Sequence, residues 1–114
     1  MGMTGETVKR HIQAVPRGRV SSYGSIAALA GLPNGARTVV RILHSSSGAD
    51  GLPWWRIIRA DGSIALRRGS GFEEQAARLA DEGVRVDRNG RVDMSVFGWP
   101  DQSAVLMKRA PKGS

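Results

Sequence analysis

Residues 22–45 read SYGSIAALAGLPNGARTVVRILHS, and the spacing of apolar residues in this stretch predicts two short helices. The first helix is predicted over the apolar positions between Ile26 and Ala30, which recur every three to four residues. Ser21 or Ser22 can cap its N-terminus, because a serine hydroxyl accepts a hydrogen bond from a free N–H of the first turn. Gly31 can end the helix, because glycine readily adopts the left-handed conformation found after a helix C-terminus.

The second helix is predicted from about Ala36 to about Ser45, after the turn Leu32-Pro33-Asn34-Gly35. Its two faces differ in chemistry. The face predicted to be buried carries Val39, Val40 and Leu43, and the opposite face carries Arg37, Arg41 and His44. Two short helices joined by such a turn predict a helix-turn-helix unit, whose second helix usually contacts DNA.

The flanking sequence predicts further short elements. These are a helix from Glu6 to Val15 with Thr4 as its N-cap, a loop over 45–48, a hairpin from Trp55 to Leu66 turning at Ala60-Asp61-Gly62, a helix from Phe72 to Gly83, and a second hairpin of 84–86 with 91–93 around Asn89-Gly90. We therefore predict a mainly α fold with short β-hairpins (α+β), a winged helix-turn-helix whose wing is the first hairpin. It would form one domain over residues 1–100, with Phe97 or Trp99 packed back onto it and a partly disordered tail over 101–114.

The net charge of +7 is concentrated in the first part of the chain. Residues 1–71 hold ten lysines and arginines but three acidic residues, whereas residues 72–114 hold seven of each. A polyanionic partner is one explanation, because basic side chains displace the counterions of a phosphate backbone. An arginine-rich, well-solvated surface is the other, and composition alone does not separate them.

The composition also narrows the chemistry. The sequence contains no cysteine, which excludes disulfides, thiolate metal ligands and thiol nucleophiles within it. The histidines His11 and His44 are too far apart in sequence to indicate a local metal site, and we expect no cofactor. No apolar run approaches the roughly 20 residues of a membrane span, and no signal-peptide segment is visible. We therefore expect a cytoplasmic monomer, associated with the nucleoid if the protein is bacterial.

A family resemblance is carried by several ordered segments between Val8 and Val84. They are VPRGRVSSYG at 15–24, AALAG at 27–31, ARTV at 36–39, PWWRII at 53–58, DGS at 61–63 and LADEG at 79–83. In this order they resemble the DNA-binding domain of O6-alkylguanine-DNA alkyltransferases, where a Pro-Cys-His-Arg motif holds the nucleophilic cysteine. Trp54 stands at the cysteine position, which is similar to the narrower group of alkyltransferase-like proteins.

The resemblance implies roles for residues that would otherwise be ordinary core or surface positions. Tyr23 matches the tyrosine that helps rotate a damaged nucleotide out of the stack, although it could simply pack at a helix start. Arg37 matches the arginine finger that fills the space left in the duplex, with a plain phosphate contact as the alternative. Trp54 would wall the pocket that receives the base, unless it is a core tryptophan.

The remaining predicted contacts divide into two sets. The lesion-binding pocket would comprise Tyr23, Trp54, Trp55, Arg56 and Arg67, and the DNA-binding residues beside the finger would be Ser22, Ala36, Thr38, Arg41 and His44. For Arg56, a structural salt bridge is as plausible as contact with the lesion. The family places this helix in the minor groove, so the resemblance implies low sequence specificity.

Four positions depart from the family pattern or lose their family role. Trp55 replaces the motif histidine, Ser46 replaces a common asparagine, and Arg67 falls where the transferases have a tyrosine that donates to the lesion oxygen. Glu82 resembles the acid of the catalytic relay, but without cysteine and histidine it would only anchor a helix end.

Three functions follow from these observations, and the first is favoured. It is a non-enzymatic protein that binds and flips O6-alkylguanine in double-stranded DNA and signals to nucleotide excision repair proteins, with no catalytic residue. The second is a winged-helix regulator or nucleoid protein without lesion recognition. The third, a hydrolase using His44, Asp50 or Glu82, lacks any predicted pairing of a nucleophile with a base.

Overall fold

The computed structural model describes residues 2–32 and 34–100 of the chain. The predicted tail at 101–114 lies outside the described residues. The elements in chain order are α1 (Gly2–Ala14), β1 (Ser21–Ser22), α2 (Tyr23–Leu29), α3 (Ala36–Asp50), a 3₁₀ turn (Trp54–Arg56), β2 (Ile57–Ile58), α4 (Phe72–Asp81) and α5 (Met94–Phe97). No helix in the described part is long and apolar enough to cross a membrane.

The helix-turn-helix prediction is confirmed. Ser22 caps α2 by accepting a hydrogen bond from the N–H of Ser25 at 3.0 Å. Gly31, at φ +81°, ends the helix, and the N–H of Leu32 then returns to the carbonyl of Ala27 at 2.8 Å. Helix α3 follows and packs against α2.

Two groups of buried apolar residues hold the elements together. The first joins α1, α2 and α3 and contains Val8, Ile12, Val15, Ile26, Ala27, Val39, Leu52 and Ile57. The second joins α4 to the turns around it and contains Val20, Ile58, Ile64, Leu79, Val84 and Val92. Trp99 packs on the first group and Phe97 on the second, so the return of this C-terminal segment onto the domain is confirmed.

Two predicted helix boundaries are wrong. Helix α1 begins at Gly2, so Thr4 lies inside the helix and is not its N-cap. Helix α3 continues through the predicted loop at 45–48 to Asp50. Because the Ser45 hydroxyl bonds back to the carbonyl of Arg41 at 3.0 Å, this serine is satisfied within the helix.

The strand pairing of the predicted wing is also wrong. The two isoleucines of β2 pair in parallel with β1, with Ser21 opposite Ile57 and Ser22 opposite Ile58. The predicted turn is present, with the Gly62 N–H bonded to the Arg59 carbonyl at 2.9 Å.

After this turn the chain pairs with the second predicted hairpin instead of with β2. The N–H of Ile64 bonds to the Gly90 carbonyl at 3.0 Å, and the N–H of Val92 bonds to the Gly62 carbonyl at 2.8 Å. The Asn89-Gly90 turn is therefore correct, but its flanks form no regular strands.

Candidate functional site

A cavity of about 260 Å³ lies between α2, α3, α4 and the Trp54 segment. Its lining residues are Tyr23, Val40, Leu43, His44, Trp54, Ile57, Leu66 and Gln75. Most of these side chains are apolar, with three polar groups among them. Its volume is slightly below the roughly 300–1,000 Å³ usual for small-molecule pockets, and apolar walls with few polar groups are typical of such sites.

Trp54 and Tyr23 both line this cavity. The 3₁₀ turn half-buries Trp54 and sets its ring at 88° to that of Trp55, with ring centroids 6.0 Å apart. The Arg78 guanidinium lies 5.9 Å from the Trp54 ring and 4.9 Å from the Trp55 ring. Trp54 therefore forms a wall whose orientation is fixed by its aromatic neighbour and by a cation.

Tyr23 keeps its proton at neutral pH. Burial raises the pKa of its phenol, and the nearby positive charge of Arg59 opposes this effect only in part. The phenol thus remains a hydrogen-bond donor at the cavity. Arg59 was not predicted as a site residue; its position beside Tyr23 follows from the parallel pairing of β1 and β2, which the sequence did not reveal.

Trp55 and Arg56 do not line the cavity, so the prediction that places them in the pocket does not match the structure. Both side chains turn towards Glu82, whose side chain is 3% exposed. Trp55 Nε1 donates to Glu82 Oε2 at 2.9 Å, and Arg56 Nη2 donates to the same oxygen at 2.7 Å. The indole N–H of Trp55 is thus one of the hydrogen-bond donors to Glu82.

Glu82 is more than a helix-end anchor. The backbone N–H of Gly18 donates to its Oε1 at 3.0 Å, and Arg56 also bonds the Val15 carbonyl at 3.0 Å. Burial alone would raise the pKa of Glu82, but the hydrogen bonds from Arg56, Gly18 and Trp55 outweigh burial and lower the pKa to about 2. The carboxylate therefore stays ionised and joins α1, the segment after it and the motif segment.

The predicted DNA-contact residues are placed differently from one another. Arg37 and Arg41 are exposed on α3, Ala36 and Thr38 are half-buried, and exposed His44 reaches the cavity. Ser22 is 3% exposed and its hydroxyl caps α2, so the structure removes it from the surface. Arg67 is exposed and is not among the residues that line the cavity, and Ser46 is half-buried beside Ser45.

Gln75 was missed by the sequence analysis. It is 2% exposed, lies on α4 one turn before the core residue Leu79, and lines the cavity. A single glutamine on the apolar face of a helix is the signal that could have indicated it, because buried polar side chains need specific partners.

The hydrolase arrangement is not assembled. Asp50 pairs with Lys9 at 2.9 Å, Glu82 is held by Arg56, and His44 lies at the cavity. In the described part of the chain, no cluster of three or more His, Asp or Glu residues suits a metal ion.

The fold and the cavity define a DNA-binding domain of the winged-helix type. The chain belongs to the family of the 6-O-methylguanine DNA methyltransferase DNA-binding domain, which it matches over residues 4–84. Among curated relatives, it is 36% identical to the DNA base-flipping protein of Vibrio parahaemolyticus over 88 residues. This match covers 77% of this chain and 87% of that protein. It is also 37% identical to alkyltransferase-like protein 1 of Schizosaccharomyces pombe over 73 residues. This match covers 63% of this chain and 68% of that protein.

Solved structures give the same result. The S. pombe alkyltransferase-like protein in complex with damaged DNA containing O6-carboxymethylguanine matches with a TM-score of 0.78 and 29% identity, over 87% of this chain and 96% of that chain. The O6-methylguanine methyltransferase of Mycobacterium tuberculosis matches with a TM-score of 0.59 and 28% identity, over 82% of this chain and 53% of that one. The likeness to the first structure thus extends over nearly the whole of that protein.

Proposed function

We propose that this protein binds double-stranded DNA at O6-alkylguanine, turns the modified base out of the duplex into the Trp54 cavity, and releases it chemically unchanged. The observation that carries the proposal is the cavity itself: Tyr23 and Trp54 meet there, in a chain without a cysteine. The names of the relatives, a base-flipping protein and an alkyltransferase-like protein, support it.

Flipping requires energy from outside the pocket. Unstacking a base costs a few kcal/mol, and less when its pairing is already weak, as at an O6-alkylguanine. Arg37 is suited to offset this cost, because it is exposed on the first turn of α3 and a guanidinium can stack and donate hydrogen bonds at once. Removal of the lesion from its partner base and insertion of Arg37 would then be coupled steps.

Alkyl transfer would need a nucleophile at position 54, and the indole of Trp54 offers none. The family relay has no function here, because Glu82 is fully engaged by Arg56, Trp55 and Gly18. The lesion therefore persists after binding. Because the protein leaves the lesion in place, another process must repair it. We propose that the bound complex marks the site for nucleotide excision repair. We also propose that the protein acts as a cytoplasmic monomer.

The test compares affinities for two duplexes that differ only in one O6-methyl group, measured by fluorescence anisotropy. We expect binding at least tenfold tighter to the modified duplex, a difference of about 1.4 kcal/mol. Equal binding would favour the alternative of a winged-helix regulator without lesion recognition.

Mass spectrometry of the protein after prolonged incubation tests the absence of transfer. We expect an unchanged mass, and an added methyl group would contradict the proposal. In binding titrations of the variant Arg37→Ala, Arg88→Ala is the control that removes the same charge elsewhere. Arg88 is exposed on the 87–90 turn and does not line the Trp54 cavity.

A further inference from the structure

A groove of about 630 Å³ runs along a second face of α4, and we call it the α4 groove. Among the described residues, none lines both this groove and the Trp54 cavity. Gln75 lines the cavity, and successive residues of a helix are about 100° apart, so Ala76 and Ala77 lie roughly 100° and 200° around α4 from it. The groove and the cavity therefore open on different faces of the helix.

The floor of the α4 groove is apolar. Phe72 and Val86 are half-buried and pack on the second core group, and Val84 is buried. Ala77 and Ala80 are exposed along the helix side of the groove. An apolar surface that lies open to water and has a polar rim is typical of a site for a partner molecule.

Three arginines form the rim of the groove. Arg68, Arg85 and Arg88 are exposed, and none of them forms a salt bridge with a described residue. The guanidinium of Arg68 lies 4.3 Å from the centre of the Phe72 ring, and its Nη2 donates to the Arg88 carbonyl at 2.9 Å. A guanidinium that is already held in place loses less conformational freedom when it binds a carboxylate.

The acidic side chains near the groove are engaged in their own turns. Asp87 is the one acidic residue among the described lining residues, and its Oδ1 accepts from the N–H groups of Asn89 at 2.8 Å and Arg91 at 3.0 Å. Glu73, on α4, accepts from the Gly69 N–H at 2.9 Å. With three arginines against one aspartate, the groove combines an apolar floor with a positively charged rim.

We propose that the α4 groove binds an acidic amphipathic helix of a partner protein, whose apolar residues cover the floor while its carboxylates pair with the rim arginines. DNA would satisfy the arginines through its phosphates but would leave the apolar floor uncovered. A second copy of this chain is disfavoured by the net charge of +7 on each copy. The inference goes beyond the proposed function and does not depend on it. Because the cavity lies on another face of α4, the partner can bind while DNA is held.

A synthetic peptide tests the groove in the full chain. The probe is a fluorescein-labelled helix of about 15 residues, with leucine at every third or fourth position and glutamate on the other face. We expect the wild type to bind it at least tenfold tighter than a peptide with serine in place of each leucine. Ala80→Glu should weaken the leucine peptide at least tenfold. Gln13→Glu adds the same charge at an exposed position of α1 and should weaken it less than twofold.

The rim is tested by Arg85→Ala, which should weaken the leucine peptide by up to about fivefold, as expected for an exposed ion pair. This variant should bind an O6-methylguanine duplex as the wild type does. It also tests the groove independently if thermal unfolding shows that Ala80→Glu is not folded.

Three results would overturn the proposal. One is the absence of peptide binding at millimolar concentration. Another is equal weakening by Ala80→Glu and Gln13→Glu, which would mean that the peptide responds only to overall charge. The third is displacement of the peptide by duplex DNA together with weaker duplex binding in Arg85→Ala, which would assign the groove to nucleic acid.

Discussion

The carboxylate of Glu82 connects separate segments of the domain through a small set of hydrogen bonds. It is buried, ionised and bonded by Arg56, Trp55 and the Gly18 N–H. These bonds hold the motif segment against the domain. The same contacts predict a stability effect that depends on pH.

Glu82→Gln should lower the free energy of unfolding at neutral pH and flatten its dependence on acid. The pKa of Glu82 falls from an ordinary value of 4.5 to about 2 on folding, so its contribution is present above 4.5 and lost as the pH falls towards 2. The shift corresponds to roughly 3 kcal/mol. Urea unfolding at a series of pH values measures this, and a constant gap between variant and wild type down to pH 2 would contradict it.

Arg37 is the residue on which lesion binding should depend most. Its side chain is exposed and forms no ion pair with a described residue, so Arg37→Ala should change the free energy of unfolding by no more than about 0.5 kcal/mol. Affinity for an O6-methylguanine duplex should nevertheless fall more than tenfold. Anisotropy titrations with Arg88→Ala as the control measure this, and equal losses in the two variants would refute a special role for Arg37.

At the scale of elements, features that depend on neighbouring residues were predicted correctly. The pairing of strands that lie far apart in the sequence was not. Gly31 and the turn after it predicted the end of α2 because a helix stop depends on a few neighbouring residues. Strand β2 was predicted to form a hairpin with the segment that follows it, but it pairs with β1, whose residues lie 36 positions earlier. Two-residue strands leave no periodicity from which such pairing could be predicted.

The residues of the candidate site likewise divide into those that the sequence predicted and those that depend on long-range packing. Tyr23 and Trp54 were predicted because the resemblance supplied their positions, and the structure brings both to one cavity. Gln75 and Arg59 reach the site only through the packing of α4 and the pairing of β2, which no local pattern reveals. Trp55 was misplaced because its partner, Glu82, is 27 residues away.

The contact between the 59–62 turn and the 90–92 segment predicts a difference between two glycines. Gly62 is buried at φ +89°, and a Cβ there would collide with the Val92 carbonyl oxygen, whereas Gly69, at φ +81°, has open space around it. Alanine at either position incurs the cost of a positive φ, but only Gly62→Ala also forces the two segments apart. Thermal unfolding should give a midpoint roughly 5–15 °C lower for Gly62→Ala than for Gly69→Ala. Equal midpoints would mean that this pairing does not hold the two segments together.

At the scale of the whole molecule, charge and cavity should contribute separately to binding. Arg41, Arg59 and Arg67 are exposed cations without an ion pair to a described residue, and all lie in the basic part of the chain. The cavity, in contrast, has no lysine, arginine, aspartate or glutamate among its lining residues. Phosphate contacts should therefore set the affinity for any duplex, and the cavity should set the preference for the lesion.

Raising the salt concentration should thus weaken binding to modified and unmodified duplexes by the same factor. If these arginines contact about three phosphates, affinity should fall roughly fortyfold between about 50 and 200 mM salt, while the ratio of the two affinities stays constant. Arg59→Ala should reduce the slope of log affinity against log salt by about 0.9 for both duplexes. A ratio that declines steeply with salt would show instead that the lesion preference is itself electrostatic, and would move specificity from the Trp54 cavity to the arginines around it.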